Sequence, residues 1–418
     1  MNGNLIIKNA AELVTCSGFG AKAGREMQDL HVIPNGAVII KDGIIAAAGS
    51  SAEVLEGFDQ SGYTVIEAGN RAVLPGFVDS HTHFVFGGYR ADEFSWRLRG
   101  DSYMDIMQRG GGIISTVAAT RAASKEQLVE SGLRRLDSML AFGVTTAEGK
   151  SGYGLDRDTE IKQLEAMAQI DATHPVDVVR TFLGAHAVPA EYRERGDEFI
   201  DFLIHEVLPE VAERKLAEFC DIFCEKNVFS LEQSRRLLRK AGEYGMKAKI
   251  HADEIVRFGG AELAAELGAV SADHLLQASD EGIRDMARSG VICTLLPATA
   301  FSLKEPYARG RFMIDNGCAV ALASDLNPGS CFTESIPLIV ALSTLYMGIT
   351  PEETITALTI NGAAALGRAK TIGSIDVGKQ GDLVIHEFPS YRFIPYHIAV
   401  STVEQVIKNG TVVWDKRE

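Results

Sequence analysis

The hydrophobic pattern changes regime twice along the chain. The first seventy residues carry short runs rich in β-branched residues, "NLIIKNA", "GAVIIKDGIIAAAG" and "YTVIEAG", separated by turn signals. Within them "KDG" predicts a hairpin turn. The last fifty residues repeat that texture in "GSIDVGKQGDLVIHE" and in "VEQVIKNGTVVW", which has its own Asn-Gly turn. Between these ends, apolar runs alternate with stretches in which apolar residues recur at three-and-four spacing.

The middle predicts eight buried strands, at residues 76–83, 143–150, 177–186, 220–226, 247–254, 269–276, 291–297 and 319–325. The stretches between them, such as "SKEQLVESGLRRLDSMLAF" and "SLEQSRRLLRKAGEYG", predict amphipathic helices closed by a glycine stop. Strands that alternate with helices imply right-handed crossovers and a parallel sheet. Eight such units over roughly 250 residues are the size of a (β/α)8 barrel, with a doubly wound open sheet as the alternative. The expected fold is therefore α/β: a TIM-like barrel over residues 71–368. Residues 1–70 and 369–418 are expected to pair into one small β domain.

Composition narrows the class of partner. The 418 residues are 46% hydrophobic and 23% charged, with a formal net charge of −15. An acidic chain without a basic block does not suit a nucleic-acid or anionic-membrane surface. Cys16, Cys220, Cys224, Cys293, Cys318 and Cys331 form no disulfide framework in a chain this long. Cys220 and Cys224 bracket the strand-like "DIF" and read as buried thiols, not as a metal pair. The first residues lack a basic segment followed by a long apolar one, and no apolar run reaches the roughly 18 residues of a membrane span. A soluble, reduced, cytoplasmic protein is expected.

Catalysis in such a barrel sits at the C-terminal ends of the strands. Five of the ten histidines fall there: His81 and His83 on the first strand, His186 on the third, His251 on the fifth and His274 on the sixth. The eighth strand ends in Asp325. His81 and His83, two apart on a strand, project to one face. With His251 and Asp325 at the same level they would make an N3O set for a divalent ion, and both zinc and iron accept such donors. Taken alone, a histidine there is more often a satisfied core residue; the shared position at the strand tips is what singles these out.

The segments "LPGFVDSHTH", "HADE", "SADH", "ASDLNPGS" and "GSIDVGKQGDLVI" together resemble the amidohydrolase superfamily of metal-dependent hydrolases, over nearly the whole chain. That resemblance implies a barrel with a split β-sandwich from both termini. It implies one divalent or trivalent metal ion, zinc or iron, on His81, His83, His251 and Asp325. Binuclear members carry a bridging lysine or glutamate on strand four; this chain has Glu225 and Lys226 there, which leaves a second metal conceivable but favours a single ion.

"HTHFVFGGYRADEFSWRLRG", "GGGIISTVAATR", "EGKSGYGLD", "TFLGAHAVP" and "ASDLNPGSC" narrow the resemblance. They point to the branch that hydrolyses 4-imidazolone-5-propanoate to N-formimino-L-glutamate. This implies a small anionic substrate, no nucleic-acid or membrane partner, and the homodimer common among such enzymes.

Roles follow from that reaction. Asp325 would hold a proton of the attacking water, and His274 would stabilise the oxyanion. Glu254 would pass a proton to the departing nitrogen or hold the ring N–H; otherwise it is a carboxylate at a helix start. Arg90 suits the propionate, because a guanidinium binds a carboxylate through two parallel hydrogen bonds, and otherwise it is a surface ion pair. Tyr153 and His186 would reach the substrate by the resemblance; otherwise they are a rim aromatic and a structural hydrogen bond. In "SDLNPGS", Asn327, Ser330 and the exposed backbone amides around Gly329 could grip a carboxylate. Tyr103 is a further candidate, and the stretch from 84 to about 117 predicts a mobile lid. Two rivals differ in class: a deaminase of a neutral heterocyclic base, which would not need Arg90, and a catalytically dead barrel used for assembly, which would lack ligands that are present here.

Overall fold

The computed structural model describes residues 3–101, 109 and 111–417. Each of the eight predicted strands forms: β1 (Phe77–Asp79), β2 (Val144–Lys150), β3 (Asp177–Ala185), β4 (Phe219–Cys224), β5 (Lys247–Ala252), β6 (Ser271–His274), β7 (Ile292–Leu295) and β8 (Val320–Leu322). They pair in parallel in chain order. The ends meet. Thr82 bridges Leu326, the Asp325 amide donates to the His81 carbonyl at 3.0 Å, and the Ser324 amide donates to Asp79 at 3.0 Å. Closure excludes the open doubly wound sheet.

The strands stop short of the apolar runs that predicted them. β1 ends at Asp79, so His81 and His83 lie on an extended tip just past the strand. Backbone in the left-handed region ends or follows several strands, at Asp253 (φ 49°), His274 (φ 74°), Leu275 (φ 61°) and Asp325 (φ 52°). Such conformations cost of order 1–3 kcal/mol each for non-glycine residues and persist where their surroundings enforce them. Here they turn strand tips toward the barrel mouth.

The predicted helices appear at Lys125–Ala141 and Leu231–Glu243, each opened by a capping box, Ser124 with Gln127 and Ser230 with Gln233. The connection after β1 is less loose than its length predicts: it holds a helix at Ala91–Leu98 and another beginning at Ile113. Tyr103 lies outside the described residues. No helix is long and apolar enough to cross a membrane among the described residues.

A separate eight-stranded sheet comes from both termini. Ala72–Pro75 lies antiparallel to Leu383–His386 and parallel to Leu5–Val14, so it stitches the two ends together. Leu5, Ile7 and Ile40 share one apolar core with Leu383, Ile385 and Ile407. Both predicted hairpin turns have two consecutive residues with positive φ, Asp42–Gly43 (51° and 81°) and Asn409–Gly410 (48° and 70°), as a type I′ turn requires. All six cysteines are free and buried.

Candidate active site

At the mouth of the barrel His81, His83 and His251 bring ring nitrogens to within 4.8 Å of one another, and ring nitrogens of His81 and His274 come equally close to each other and to a carboxylate oxygen of Asp325. Nε2 of His81 and Nε2 of His83 each lie 3.5 Å from the same oxygen, Asp325 Oδ1. The backs of two rings are braced. His81 Nδ1 is 2.6 Å from Asp273 and His251 Nδ1 is 3.0 Å from Asp221. This bracing turns Nε2 of both rings inward. Among the described residues, Nε2 of His81, Nε2 of His251 and Nδ1 of His83 have no hydrogen-bond partner, and Nδ1 of His251 has only the close Asp221 carboxylate, without hydrogen-bond geometry. Orphaned buried nitrogens are costly, and burial pushes the pKa of all three imidazoles well below its ordinary value. Neutral imidazoles with free lone pairs around a carboxylate are donors waiting for a cation; the set fits a divalent metal.

Beneath this set lies a charge network that the sequence reading did not single out. Lys150 Nζ sits 2.6 Å from Asp221, 3.1 Å from Glu148 and 3.4 Å from Asp273, and Lys249 Nζ sits 2.7 Å from Glu148. All five side chains are fully buried. Burial alone would strip Lys150 of its proton, but the surrounding carboxylates outweigh it and raise its pKa above the lysine norm. Charged residues inside otherwise apolar strands ("TAEGK", "CDIFC", "KAKIHA", "SADH") were the available signal.

Strand four offers no bridging ligand for the second metal that its sequence left conceivable. Glu225 accepts the amides of Ile255 at 2.8 Å and Val256 at 3.3 Å, so it shapes the loop behind Glu254, and Lys226 is exposed. Glu254 does not start a helix either, since the next one begins at Gly260. Glu254 Oε1 instead lies 3.6 Å from His274 Nδ1. Burial, together with Asp325 and Glu225, raises the Glu254 pKa to about 8, whereas burial lowers that of His274 to about 4. Asp325 is pushed up to about 7, mainly by burial, and its other oxygen accepts from Thr299 Oγ1 at 2.6 Å.

One cavity of about 440 Å3 is lined by His83, His251, His274, Asp325 and Glu254, and also by Arg90, Tyr153, His186, Asn327, Gly329 and Ser330. Of the expected residues, His81 lies deeper, behind the lining. Tyr153 is buried against the rings of His83 and His186. His186 Nδ1 donates to the Gly152 carbonyl at 3.1 Å and the ring stacks on His83, so it is held structurally and still faces the cavity.

Two substrate-binding expectations change on inspection. The amides of Gly329 and Ser330 are not free: both donate to Asn327 Oδ1, at 2.9 and 2.8 Å, because the asparagine organises its own turn. Arg90 is not a lone cation, since its Nε donates to Glu93 at 2.9 Å and a second guanidinium nitrogen pairs with the other carboxylate oxygen. Glu93 and Arg97 line the same cavity and were missed.

A family model described as the amidohydrolase family matches residues 72–413. An imidazolonepropionase of Clostridium tetani is 62% identical over 414 residues, covering 99% of both chains. One of Parabacteroides distasonis is 60% identical over 409 residues, covering 98% of both. Among solved structures, an adenosine deaminase from Xanthomonas campestris with bound zinc superposes with a TM-score of 0.73 at 18% identity, covering 99% of this chain and 93% of that one. Guanine deaminase of E. coli gives 0.73 at 14% identity over 99% of both chains. These two likenesses establish the fold.

Proposed function

The chain belongs to the amidohydrolase family, and from that premise we propose that it hydrolyses the ring C–N bond of 4-imidazolone-5-propanoate to give N-formimino-L-glutamate, the third step of L-histidine degradation. The observation that carries the reading is the single cavity in which a metal-donor set, a buried acid–histidine pair and an arginine-bearing wall converge. Relatives near 60% identity over almost the full length carry the imidazolonepropionase name. The ring-deaminase alternative rests on neighbours of 14–18% identity, and it leaves the arginines in the cavity without a purpose.

His81, His83, His251 and Asp325 would hold the ion, which supplies Lewis acidity toward water and the ring carbonyl when bound. Asp325 takes a proton from the attacking water. The water oxygen adds to the carbonyl carbon, and a proton-bearing His274 nitrogen stabilises the oxyanion. Glu254, protonated near neutral pH, gives its proton to the ring nitrogen as the C–N bond breaks. The former carbonyl becomes the new carboxyl group of the ring-opened product and gives its proton back to Glu254, while Asp325 releases the water proton to solvent. Tyr153, His186, Asn327, Gly329 and Ser330 line the wall against which the substrate lies.

Within this reading residues 71–368 carry the chemistry, and residues 1–70 with 369–418 form a supporting unit. Zinc or iron as the ion, a cytoplasmic location and a homodimer belong to the same proposal, and metal analysis of purified protein decides the first. The test of function is loss of the imidazolone ultraviolet absorbance, with formiminoglutamate as product, before and after chelation. Metal-dependent turnover is expected. A metal-replete protein that ignores this substrate but releases ammonia from neutral heterocycles would transfer the assignment to ring deamination.

A further inference from the structure

Beneath the mouth of the barrel, the branched apolar residues that usually fill such an interior give way to charge. Lys150, Asp221 and Asp273 come from β2, β4 and β6, alternate strands of the kind that supply one interior layer, and none of the three is exposed. Apolar side chains of similar volume are often as stable as buried ions, so stability alone does not account for the charges. None of the three lines the cavity, so none meets substrate.

The atoms that meet are specific. Asp273 Oδ2 lies 2.6 Å from His81 Nδ1 and 3.4 Å from Lys150 Nζ. Asp221 Oδ2 lies 3.0 Å from His251 Nδ1 and 2.6 Å from the same Nζ. One ammonium thus rests on the two oxygens that stand behind two of the metal-donor rings. The other oxygen of each aspartate is held from its own or the next strand. Asp273 Oδ1 accepts from Ser271 Oγ at 2.6 Å, and Asp221 Oδ1 accepts the amides of Ile222 at 2.7 Å and His251 at 3.2 Å. The third partner of Lys150, Glu148 Oε1 at 3.1 Å, is itself fixed through Oε2 by Lys249 at 2.7 Å. An ammonium has three protons to donate, and three carboxylates take them.

We propose that Lys150 is a positioning residue of the metal centre: a single ammonium that sets the two aspartates behind His81 and His251 and so places both rings as one unit. The proposal rests on the reading of those histidines as ligands and extends it to a residue that is not itself a ligand. Partners behind a metal-bound imidazole fix its orientation, and losing one typically weakens the ion about 10- to 100-fold. The ammonium is also one cation close to another, and through-space repulsion alone would make its removal tighten the ion. Placement and repulsion therefore predict opposite signs.

The test is the zinc dissociation constant of the metal-stripped full chain, titrated in competition with a chromophoric chelator. Lys408→Met is the matched control, because Lys408 is a buried ammonium 2.6 Å from both Asp177 and Asp382 in the terminal sheet. Lys150→Met should weaken zinc about 10- to 100-fold, and Lys408→Met should change it less than about threefold. The visible bands of the cobalt(II) form, which report ligand geometry, should shift in the first variant and hold in the second. Lys150→Met combined with Glu148→Gln removes one charge of each sign and should show the same weakening. That pair separates the bridge from the charge count, and it takes the place of the single variant if the latter fails to fold. Zinc affinity that is unchanged or tighter without Lys150, or an equal loss in Lys408→Met, would overturn the proposal. A parent that binds zinc in this manner but leaves imidazolone propionate intact would sink the assigned reaction and leave the bridge standing. A parent that binds no zinc removes the centre and the proposal with it.

Discussion

Glu254 and Lys150 show how the same burial, which favours the neutral form of each, is reinforced or overruled by company. Burial and the like charges of Asp325 and Glu225 raise the Glu254 pKa to about 8, so below that pH the carboxyl keeps its proton. A general acid loses activity as pH rises through its pKa. Glu254→Gln should lower kcat by about 10²- to 10⁴-fold and also abolish the alkaline limb of the pH–rate profile. A cation held by Asp325 moves that limb to lower pH, so its disappearance in the variant is the signature, not its position. An unchanged profile would remove Glu254 from proton transfer. Lys150 faces opposite charge and stays ionised among Asp221, Glu148 and Asp273. Removing one partner from a buried ionic cluster costs about 3–5 kcal/mol. Lys150→Met should show a loss of that size in urea denaturation, and pairing it with Asp221→Asn should return part of it.

At the scale of elements, the turn after β2 decides where two cavity side chains sit. Glu160, at the start of the Arg157–Asp171 helix, accepts the amides of Gly152 at 3.0 Å, Gly154 at 2.9 Å and Leu155 at 2.9 Å. Gly152 has φ 108°, and a Cβ there would lie 2.8 Å from the Leu183 carbonyl oxygen and 3.0 Å from His186. Glycine is required on both counts. Gly152→Ala should cost about 1–3 kcal/mol of stability, and by displacing His186 and Tyr153 it should reduce kcat/KM. Stability by denaturant titration and kinetics on the same preparation check this; a variant matching the parent in both would mean that the turn yields without moving the site. The helices themselves were legible. Apolar residues at three-and-four spacing and the glycine that closes each stretch announced both, and the structure adds the capping boxes of Ser124 with Gln127 and Ser230 with Gln233.

For the whole molecule, the terminal sheet couples stability to pH at a distance from the catalytic mouth. His386, buried on the Leu383–His386 strand with Nδ1 2.8 Å from Thr402 Oγ1, has its pKa lowered to about 3 by burial. In the unfolded chain it titrates near 6.5. Its folded value is depressed, so its contribution is complete above pH 6.5 and is lost as pH falls toward 3, by roughly 1.4 kcal/mol per unit. Between pH 6.5 and 5 the parent should therefore lose about 2 kcal/mol more than His386→Asn. Other buried histidines titrate in both proteins and cancel in the comparison. Parallel acid limbs would show that His386 is not held neutral.

The sequence by itself determined what depends on local order. Strand-and-helix alternation, hairpin turns, glycine stops and histidines at strand tips are all written within a few residues of each other, and they sufficed for the barrel and for the metal-donor candidates. Only the tertiary structure decided which charges meet. Asp221 and Asp273 brace histidines from other strands, Lys150 gathers Asp221 and Asp273 around it, and Glu225 turns away to hold the loop behind Glu254. Coulomb energies depend on distance and burial, and for residues 30 to 200 positions apart both are set by closure of the barrel.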